Sequence, residues 1–396
     1  MNKKNISPYL RRAWAEIDLD AAKYNFEELR RIVGDKLICA VIKANAYGHG
    51  AVRLAELYCE LGADCLAVSN LGEALELRRA GIELPILILG YIAPEAAPLA
   101  SDTDTTLTVY SLPFAEALSK VLSHVGKTVK VHLKFDTGMG RIGFIPEISG
   151  ENALPDAVTA AGLPRLSVDG AFTHLAVADG GSDLTMAEYT REQAKRFFFA
   201  MSYLKERGIA PCVKHISNSA AVLDYPELSV DMVRLGVSLY GLSPSPLIRN
   251  PFRPHPMMTL KSVISHIKTV SAGTSVSYGR TFIADHDMRV ATVPIGYADG
   301  LARSSSHLGV RLTVRGRAVP IIGRVCMDQL MLDVTGTGAE LFDEVLIFGA
   351  GAYESADTFA EKNGTIGYES VCAVGHRVPR IYKKNGAVEA TVDYIG

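Results

Sequence analysis

The chain has 396 residues, of which 48% are hydrophobic and 21% charged, and its formal net charge is -2. This is the composition of a globular protein with room for two domains, and the near-balanced charge favours neither a nucleic-acid nor an acidic-membrane partner. No apolar run is long enough for a membrane span, and the basic residues 1–4 are not followed by the apolar segment of a signal peptide. The six scattered cysteines then indicate reduced thiols in the cytoplasm and no metal site.

Alternation of apolar and polar residues begins at residues 14–19, which predicts an extra strand ahead of the main pattern. From about residue 36 to 240, apolar strand-like runs alternate with helical patterns. Strands are predicted at residues 37–42, 65–68, 86–89, 106–109, 129–135, 166–172, 212–216 and 232–235. The clearest helix covers about residues 184–207 and stops before Gly208. This alternation predicts a parallel (β/α)8 barrel of TIM type, with a doubly wound open sheet as the alternative.

A cluster of prolines between residues 244 and 256 marks a predicted domain boundary. Beyond it, short alternating runs rich in β-branched residues predict an all-β domain. These runs are residues 262–270, 290–295, 311–314, 331–334 and 344–348. We therefore assign residues 12–245 to the barrel, and residues 246–396 together with residues 1–11 to a C-terminal domain of β-strands.

Lys43 directly follows the first strand of the predicted barrel. In such a barrel the carboxyl ends of the strands form the active-site face. Desolvation at that position lowers the pKa of an amine and makes it available for a Schiff base. Most lysines at strand ends only extend their charge into solvent. A functional role for Lys43 is therefore predicted only together with the residues around it.

Polar side chains at other strand ends would share this face. They are Lys134 and Arg141 after the fifth strand, His174 after the sixth, Asn218 and Ser219 after the seventh, and Arg234 in the eighth. Arg141 alone could be a surface ion-pair partner, and Ser219 alone could be a helix N-cap. Arg234 lies in an apolar strand, where an unpaired charge is costly, so a ligand or His174 should partner it. Ser219 beside Gly236 could present donors to a phosphate. Together they predict an anionic ligand.

Residues 41–50, with the sequence Val-Ile-Lys-Ala-Asn-Ala-Tyr-Gly-His-Gly, resemble the pyridoxal-phosphate attachment motif of alanine racemases. Further stretches are similar to that family, in the family's order: residues 134–141, 173–176, 218–221, 232–236, 277–279, 295–300 and 326–328. The likeness runs from about residue 14 to residue 380. It implies pyridoxal 5'-phosphate as cofactor and a homodimer whose active site is shared between subunits.

The resemblance also implies a role for each matching residue. Lys43 would carry the cofactor and act as one acid/base, and Tyr278 would be the opposite one, supplied across the dimer interface. Two are needed because the proton leaves one face of Cα and returns on the other. Arg234 would face the pyridine nitrogen, held by His174, and would leave that nitrogen unprotonated because a guanidinium rarely gives up its proton.

Contacts to cofactor and substrate are implied in the same way. The cofactor would be bound by Tyr47, Asn218, Ser219, Gly236 and Val237, and the substrate by Arg141, the Met327 backbone and Tyr297 at the entrance. The family often carries a carbamylated lysine at the position of Lys134, where it orients Arg141. We expect the same modification here.

One departure from the family's pattern concerns His376. Many relatives have a phosphate-binding tyrosine at this position, just before the Arg-Val-Pro-Arg of residues 377–380. An imidazole can still donate to a phosphate, but it is smaller and can change charge near neutral pH. The vacated space could admit a substrate larger than alanine, such as serine.

The sequence therefore predicts racemisation of alanine by two bases, which would supply D-alanine for peptidoglycan or serve L-alanine catabolism. A racemase with a broader range is one alternative. A second is an amino-acid decarboxylase of the same architecture, with Cys326 as its donor, although residues 277–279 and 296–300 argue against it. A pyridoxal-phosphate-binding protein without catalysis is the third, but that class lacks a second domain.

Overall fold

The computed structural model describes residues 12–147 and 150–395. The predicted association of residues 1–11 with the C-terminal domain lies outside this part of the chain. The first strand, β1, is Ala13–Asp18 and matches the extra strand expected at residues 14–19. Asp18 ends it and caps the next helix, because its carboxylate accepts from the N–H groups of Asp20 and Ala21.

All eight predicted barrel strands are present within one or two residues of their expected ends. They are β2 Leu37–Val41, β3 Cys65–Val68, β4 Ile86–Ile88, β5 Thr105–Val109, β6 Val129–Lys134, β7 Leu166–Phe172, β8 Val213–His215 and β9 Met232–Leu235. All their pairings are parallel, in the order β8-β7-β6-β5-β4-β3-β2-β9. A hydrogen bond from Arg234 N to Ser217 O, 3.0 Å long, links the two ends. The barrel is therefore confirmed, and the doubly wound alternative is excluded because no strand order reverses.

Helices lie between the strands. They are α1 Leu19–Val33, α2 Lys43–Tyr47, α3 Ala51–Glu60, α4 Leu71–Arg79, α5 Ala97–Asp102, α6 Leu112–Val125, α7 Leu154–Ala161, α8 Leu184–Lys205 and α9 Ser219–Asp224. Short 3₁₀ segments are Pro94–Ala96, Pro226–Leu228, Val237–Tyr240, Tyr278–Arg280, Tyr297–Asp299 and Arg303–Ser306. The helix predicted over residues 184–207 is thus confirmed as α8. In the described part of the chain, none of the helices has the length and apolar character that a membrane span requires.

The C-terminal region is mostly sheet. Its strands are β10 Met258–Val263, β11 His266–Val270, β12 Ser275–Val276, β13 Phe282–Ile283, β14 Met288–Val293, β15 Arg311–Val314, β16 Arg317–Ile322, β17 Leu330–Asp333, β18 Glu344–Phe348, β19 Arg380–Lys384 and β20 Ala387–Val392. Two helices, α10 Ala356–Lys362 and α11 Gly367–Cys372, interrupt the pattern. The predicted C-terminal domain of β-strands is confirmed as mostly sheet, and these two helices are an addition that the sequence did not predict. The run predicted at 262–270 is two strands, because β10 pairs with β18 whereas β11 pairs with β14.

Strand β1 belongs to the ten-stranded sheet of the C-terminal region. This strand pairs antiparallel with β10 and parallel with β19. Although we assigned residues 12–245 to the barrel, residues 13–18 belong to the second sheet by their hydrogen bonds. The division of the chain near residue 245 stays a prediction.

Candidate active site

A cavity of about 800 Å³ opens at the carboxyl ends of the barrel strands. Ten of the predicted site residues line it: Lys43, Tyr47, Lys134, Arg141, His174, Asn218, Ser219, Arg234, Gly236 and Val237. They come from the carboxyl-terminal ends of five strands and from the segments that follow them. The barrel thus brings together most of the residues that the sequence predicted.

Lys43 begins a turn of unusual hand. Residues Ala44 to Tyr47 all have φ near +52°, the left-handed helical region that side chains disfavour. Glu73 of α4 holds the turn from outside, since its carboxylate accepts from Ala44 N at 2.8 Å and from Ser69 N at 2.6 Å. Burial, with help from the charge of Arg141, lowers the pKa of the Lys43 amine. The strand end therefore presents an amine that is easier to deprotonate than an exposed one.

Tyr47, Ser219 and Gly236 form a polar cradle in the wall of the same cavity as Lys43. Gly236 donates its N–H to Ser219 Oγ at 2.9 Å, and a Cβ on Gly236 would lie 2.8 Å from the Tyr47 hydroxyl oxygen. Burial raises the pKa of Tyr47, so its hydroxyl keeps its proton and remains a donor. The helix N-cap predicted at Ser219 is instead Asn218, whose Oδ1 accepts from Ala221 N at 3.0 Å. Ser219, one residue later, is free to turn its hydroxyl to the cavity.

Arg234 is buried, and no carboxylate of the described residues partners it. Its two terminal nitrogens donate to the carbonyls of Thr173, His215 and Ile216, at 2.7 to 3.0 Å, and to the Nδ1 atoms of His215 at 2.7 Å and His174 at 3.3 Å. Its Nε has no hydrogen-bond partner among the described residues. Burial lowers the pKa of Arg234 to about 10, which still leaves it charged at neutral pH.

His215 is a functional residue that the sequence reasoning missed. Because Arg234 donates to its Nδ1, the ring hydrogen must be on Nε2, which then donates to His132 Nδ1 at 2.9 Å. Burial and the charge of Arg234 lower the pKa of His215 well below the ordinary value, so the pair stays neutral. A polar residue in the predicted strand 212–216 was the available signal. The predicted contact of His174 with Arg234 is present.

Lys134 and Arg141 stand at the other side of the cavity. Lys134 is 4% exposed, and burial together with the charges of Arg141 and Arg234 lowers its pKa to about 8. In a fraction of the molecules the Lys134 amine is therefore neutral near pH 7. The guanidinium of Arg141 has no hydrogen bond or ion pair with a side chain of the described residues, which leaves it available to an anion.

Two predicted residues lie elsewhere in the same chain. Tyr278 and Met327 are 69% and 53% exposed, and they line a shallow cavity of about 410 Å³ together with Cys326 and Asp328. One chain does not bring them to Lys43. In the single chain both side chains are therefore largely open to solvent.

Tyr297 and His376 are not among the described residues that line either cavity. The backbone N–H of Tyr297 donates to Cys326 O at 3.1 Å, which places Tyr297 beside the shallow cavity that Tyr278 and Cys326 line. The ring of His376 stacks on Tyr394 with centroids 4.7 Å apart. The cavity at Lys43 is instead lined by Tyr368 of α11, whose ring centroid is 6.3 Å from that of Tyr47. Because α11 was not predicted, no sequence pattern pointed to Tyr368.

Comparisons with known proteins agree over both parts of the chain. The models described as "Alanine racemase, N-terminal domain" and "Alanine racemase, C-terminal domain" match residues 17–244 and 257–382. The alanine racemase of Desulforamulus reducens is 46% identical over 373 residues, which cover 93% of this chain and 98% of that protein.

Solved structures give the same result. The alanine racemase of Clostridium difficile 630 superposes with a TM-score of 0.91 at 39% identity, covering 97% of this chain and 99% of the other. The alanine racemase of Bacillus anthracis, solved with bound L-Ala-P, also has a TM-score of 0.91 at 39% identity and covers 98% and 99%. With matches of this extent in sequence, in both domain models and in fold, the chain belongs to the alanine racemase family.

Proposed function

We propose that this protein is a cytoplasmic homodimer that interconverts L-alanine and D-alanine with pyridoxal 5'-phosphate, and that it supplies D-alanine for peptidoglycan. The observation that carries the proposal is the cavity at Lys43. There an amine of lowered pKa and an anion cradle meet two arginines that have no carboxylate partner in the part of the chain that the structure describes. The chain belongs to the alanine racemase family.

The described residues fit this cofactor, which is an aldehyde carrying a phosphate on a pyridine ring. Tyr47, Ser219 and the glycine at 236 supply hydroxyl groups and a close backbone approach for the phosphate. The Nε–H of Arg234, which has no partner among the described residues, is the donor left for the ring nitrogen. When bound, the cofactor supplies an aldehyde for the amino group of the substrate and a ring that draws electrons from Cα.

Arg234 would limit the electron withdrawal by a bound cofactor. With a pKa of about 10, the guanidinium keeps its proton near neutral pH, so it would donate a hydrogen bond to the ring nitrogen without protonating it. Arg234 would thereby favour return of the proton to Cα over competing reactions such as transamination.

Proton transfer at Cα is assigned to two residues. Lys43 removes or returns the proton on one face, and Tyr278 of a second copy does so on the other. The exposure of Tyr278 and Met327 in the single chain supports a dimer in which they cover the cavity of the neighbour. The Met327 backbone and Tyr297 would then border the substrate.

The substrate carboxylate is assigned to Arg141, and carbamylation to Lys134. A neutral amine adds to carbon dioxide and then loses a proton, which gives a carbamate with one negative charge. A pKa of about 8 provides the neutral amine, and the charge would hold Arg141 in place. In ¹³C-bicarbonate the native protein should show a carbamate carbon signal that Lys134→Ala lacks; a bare amine in the native protein would remove this part of the proposal.

The decisive experiment is incubation of the purified protein with L-alanine, and separately with L-serine, in deuterated water. We expect D-alanine with deuterium at Cα, and chiral analysis will show whether serine also reacts. Release of carbon dioxide without racemisation would instead identify a decarboxylase. Neither racemisation nor exchange at Cα would refute the proposed function.

A further inference from the structure

The loop that follows β6 is folded around one carboxylate. Asp136 is 8% exposed, and its Oδ1 accepts hydrogen bonds from the backbone N–H groups of Gly138 and Gly140, each at 3.0 Å. Its Oδ2 accepts from the backbone N–H of Arg141 at 2.7 Å. One side chain therefore fixes the main chain of the whole turn that leads into Arg141.

Helix α8 ties the same loop from outside. Tyr189 donates its hydroxyl hydrogen to the carbonyl of Gly138 at 2.7 Å, and Arg196 Nη1 donates to the carbonyl of Thr137 at 3.1 Å. Gly138 has φ of +134°, and an added Cβ would lie 2.3 Å from the Tyr189 hydroxyl oxygen, so this position requires glycine. The N–H groups of the loop thus face Asp136, while its carbonyls are held by α8.

Asp136 does not neutralise the arginine that it holds. Burial alone would raise the pKa of Asp136, but the hydrogen bonds from Gly140, Gly138, Arg141 and Met139 outweigh it, and the pKa lies below the ordinary value. The carboxylate is therefore charged at neutral pH, with its lone pairs directed at backbone N–H groups. The Arg141 guanidinium, which has no acidic partner in the described part of the chain, stays available.

We propose that Asp136 is a positioning residue for substrate binding, which sets the place of the Arg141 guanidinium by holding the backbone from residue 138 to residue 141. Tyr189 is its outer support. This inference rests on the proposed binding of the substrate carboxylate by Arg141. Asp136 then determines how accurately Arg141 meets the substrate carboxylate, in addition to any effect of a modified Lys134.

The substitution Asp136→Asn tests the inference with almost no change of shape. Asparagine keeps one acceptor oxygen and replaces the other with an NH2 group, so at least one of the three N–H groups would face a donor. The turn should open there and shift Arg141. A displacement of about 1 Å at a binding group can cost about a hundredfold in function, so we expect at least a tenfold effect.

The measurement is the dissociation constant of propionate, a carboxylate without an amino group, determined by calorimetry on the cofactor-loaded protein. We expect Asp136→Asn to weaken propionate about tenfold and to raise KM for L-alanine more than it lowers kcat. Cofactor retention should be unchanged, because the phosphate cradle lies after β8 and β9. In an Arg141→Ala background, Asp136→Asn should add no further loss of propionate affinity.

The matched control is Asp18→Asn, which removes another carboxylate that accepts from two backbone N–H groups, far from the cavity. It should leave propionate affinity as it is. Unchanged propionate affinity in Asp136→Asn, or losses from Asp136→Asn and Arg141→Ala that multiply, would overturn the inference alone. Unchanged propionate affinity in Arg141→Ala would overturn both the inference and the proposed role of Arg141.

If Asp136→Asn does not fold, Tyr189→Phe decides, because Tyr189 is 38% exposed and its hydroxyl is not part of the core. Loss of the tether at Gly138 should weaken propionate about twofold to fivefold and leave cofactor retention unchanged. Propionate affinity equal to that of the native protein would overturn the positioning scheme.

Discussion

Acid should destabilise this protein through imidazoles that are neutral in its core. Burial lowers the pKa of both His49 and His132 to about 4, from an ordinary value of 6.5. For His132 the charge of Asp169 opposes this shift and the charge of Arg234 adds to it. Because the folded pKa lies below the unfolded one, the unfolded chain takes up the proton first as the pH falls. Stability is then lost from about pH 6.5 downward, until the folded state is protonated as well near pH 4.

The magnitude follows from the two pKa values. Between pH 7 and pH 5, each of these histidines should lower the free energy of unfolding by about 2 kcal/mol. The substitution His132→Asn isolates one contribution, since its amide oxygen can still accept the hydrogen bond that His215 Nε2 donates. The variant should lose less stability on acidification, with a slope smaller by about 1.2 kcal/mol per pH unit between pH 6 and pH 5.

Urea unfolding of the cofactor-loaded protein at pH 7, 6 and 5 measures this slope, at fixed protein and cofactor concentrations because binding shifts apparent stability. The control is His266→Asn. His266 is an exposed residue of β11, so this variant removes an imidazole that is not buried and should keep the native slope. If His132→Asn and the native protein have the same slope, the assignment of acid sensitivity to the buried neutral imidazole is wrong.

Three further substitutions test the proposed site. Tyr278→Phe should lower the racemisation rate by about 10²- to 10⁴-fold while exchange at Cα from the Lys43 side persists, and intact racemisation would contradict the two-base scheme. His376→Tyr should leave the alanine-to-serine ratio of kcat/KM unchanged, because His376 stacks on Tyr394 and does not line the cavity at Lys43; a raised ratio would restore the role predicted from the sequence. Glu73→Gln should lower the free energy of unfolding by about 1–3 kcal/mol and speed cofactor release, because one N–H of the turn after Lys43 loses its acceptor. Glu76→Gln on the exposed face of α4 is the control, and equal cofactor release from both variants would contradict this role of Glu73.

The barrel was predictable because its strands are buried on both faces. Runs such as residues 37–41 are apolar without alternation and are separated by helical patterns, which is the signature of a parallel sheet. The second sheet was less predictable. Strands β19 and β20 follow two short helices. β19 has charged residues at three of its five positions, and β20 is exposed or half-exposed throughout, so neither forms an apolar run. The membership of β1 in this sheet depends on pairing with β10, some 250 residues later, which a local pattern does not contain.

Site residues were predictable where their residue type is unusual at that position of the fold. Lys43 at a strand end and Arg234 inside an apolar strand attract attention because buried charge is costly. His215 and Tyr368 were missed, since a histidine or tyrosine is ordinary in a core and only the hydrogen bond to Arg234, or the packing against Tyr47, reveals its place. The position of Tyr278 relative to Lys43 would be set by the proposed second copy of the chain, which no local pattern describes.

The left-handed turn after Lys43 also bears on how the protein matures. Four consecutive residues in that conformation cost about 1–2 kcal/mol each, so the segment from Ala44 to Tyr47 does not form on its own. It needs Glu73 of α4 to accept from Ala44, and Asn45 to accept from Ala51 and to donate to Tyr394 near the C-terminus. A newly synthesised chain therefore completes the proposed cofactor pocket only after the C-terminal segment around Tyr394 has docked. Cofactor binding should be the last step of folding, so a chain that holds its cofactor is fully folded.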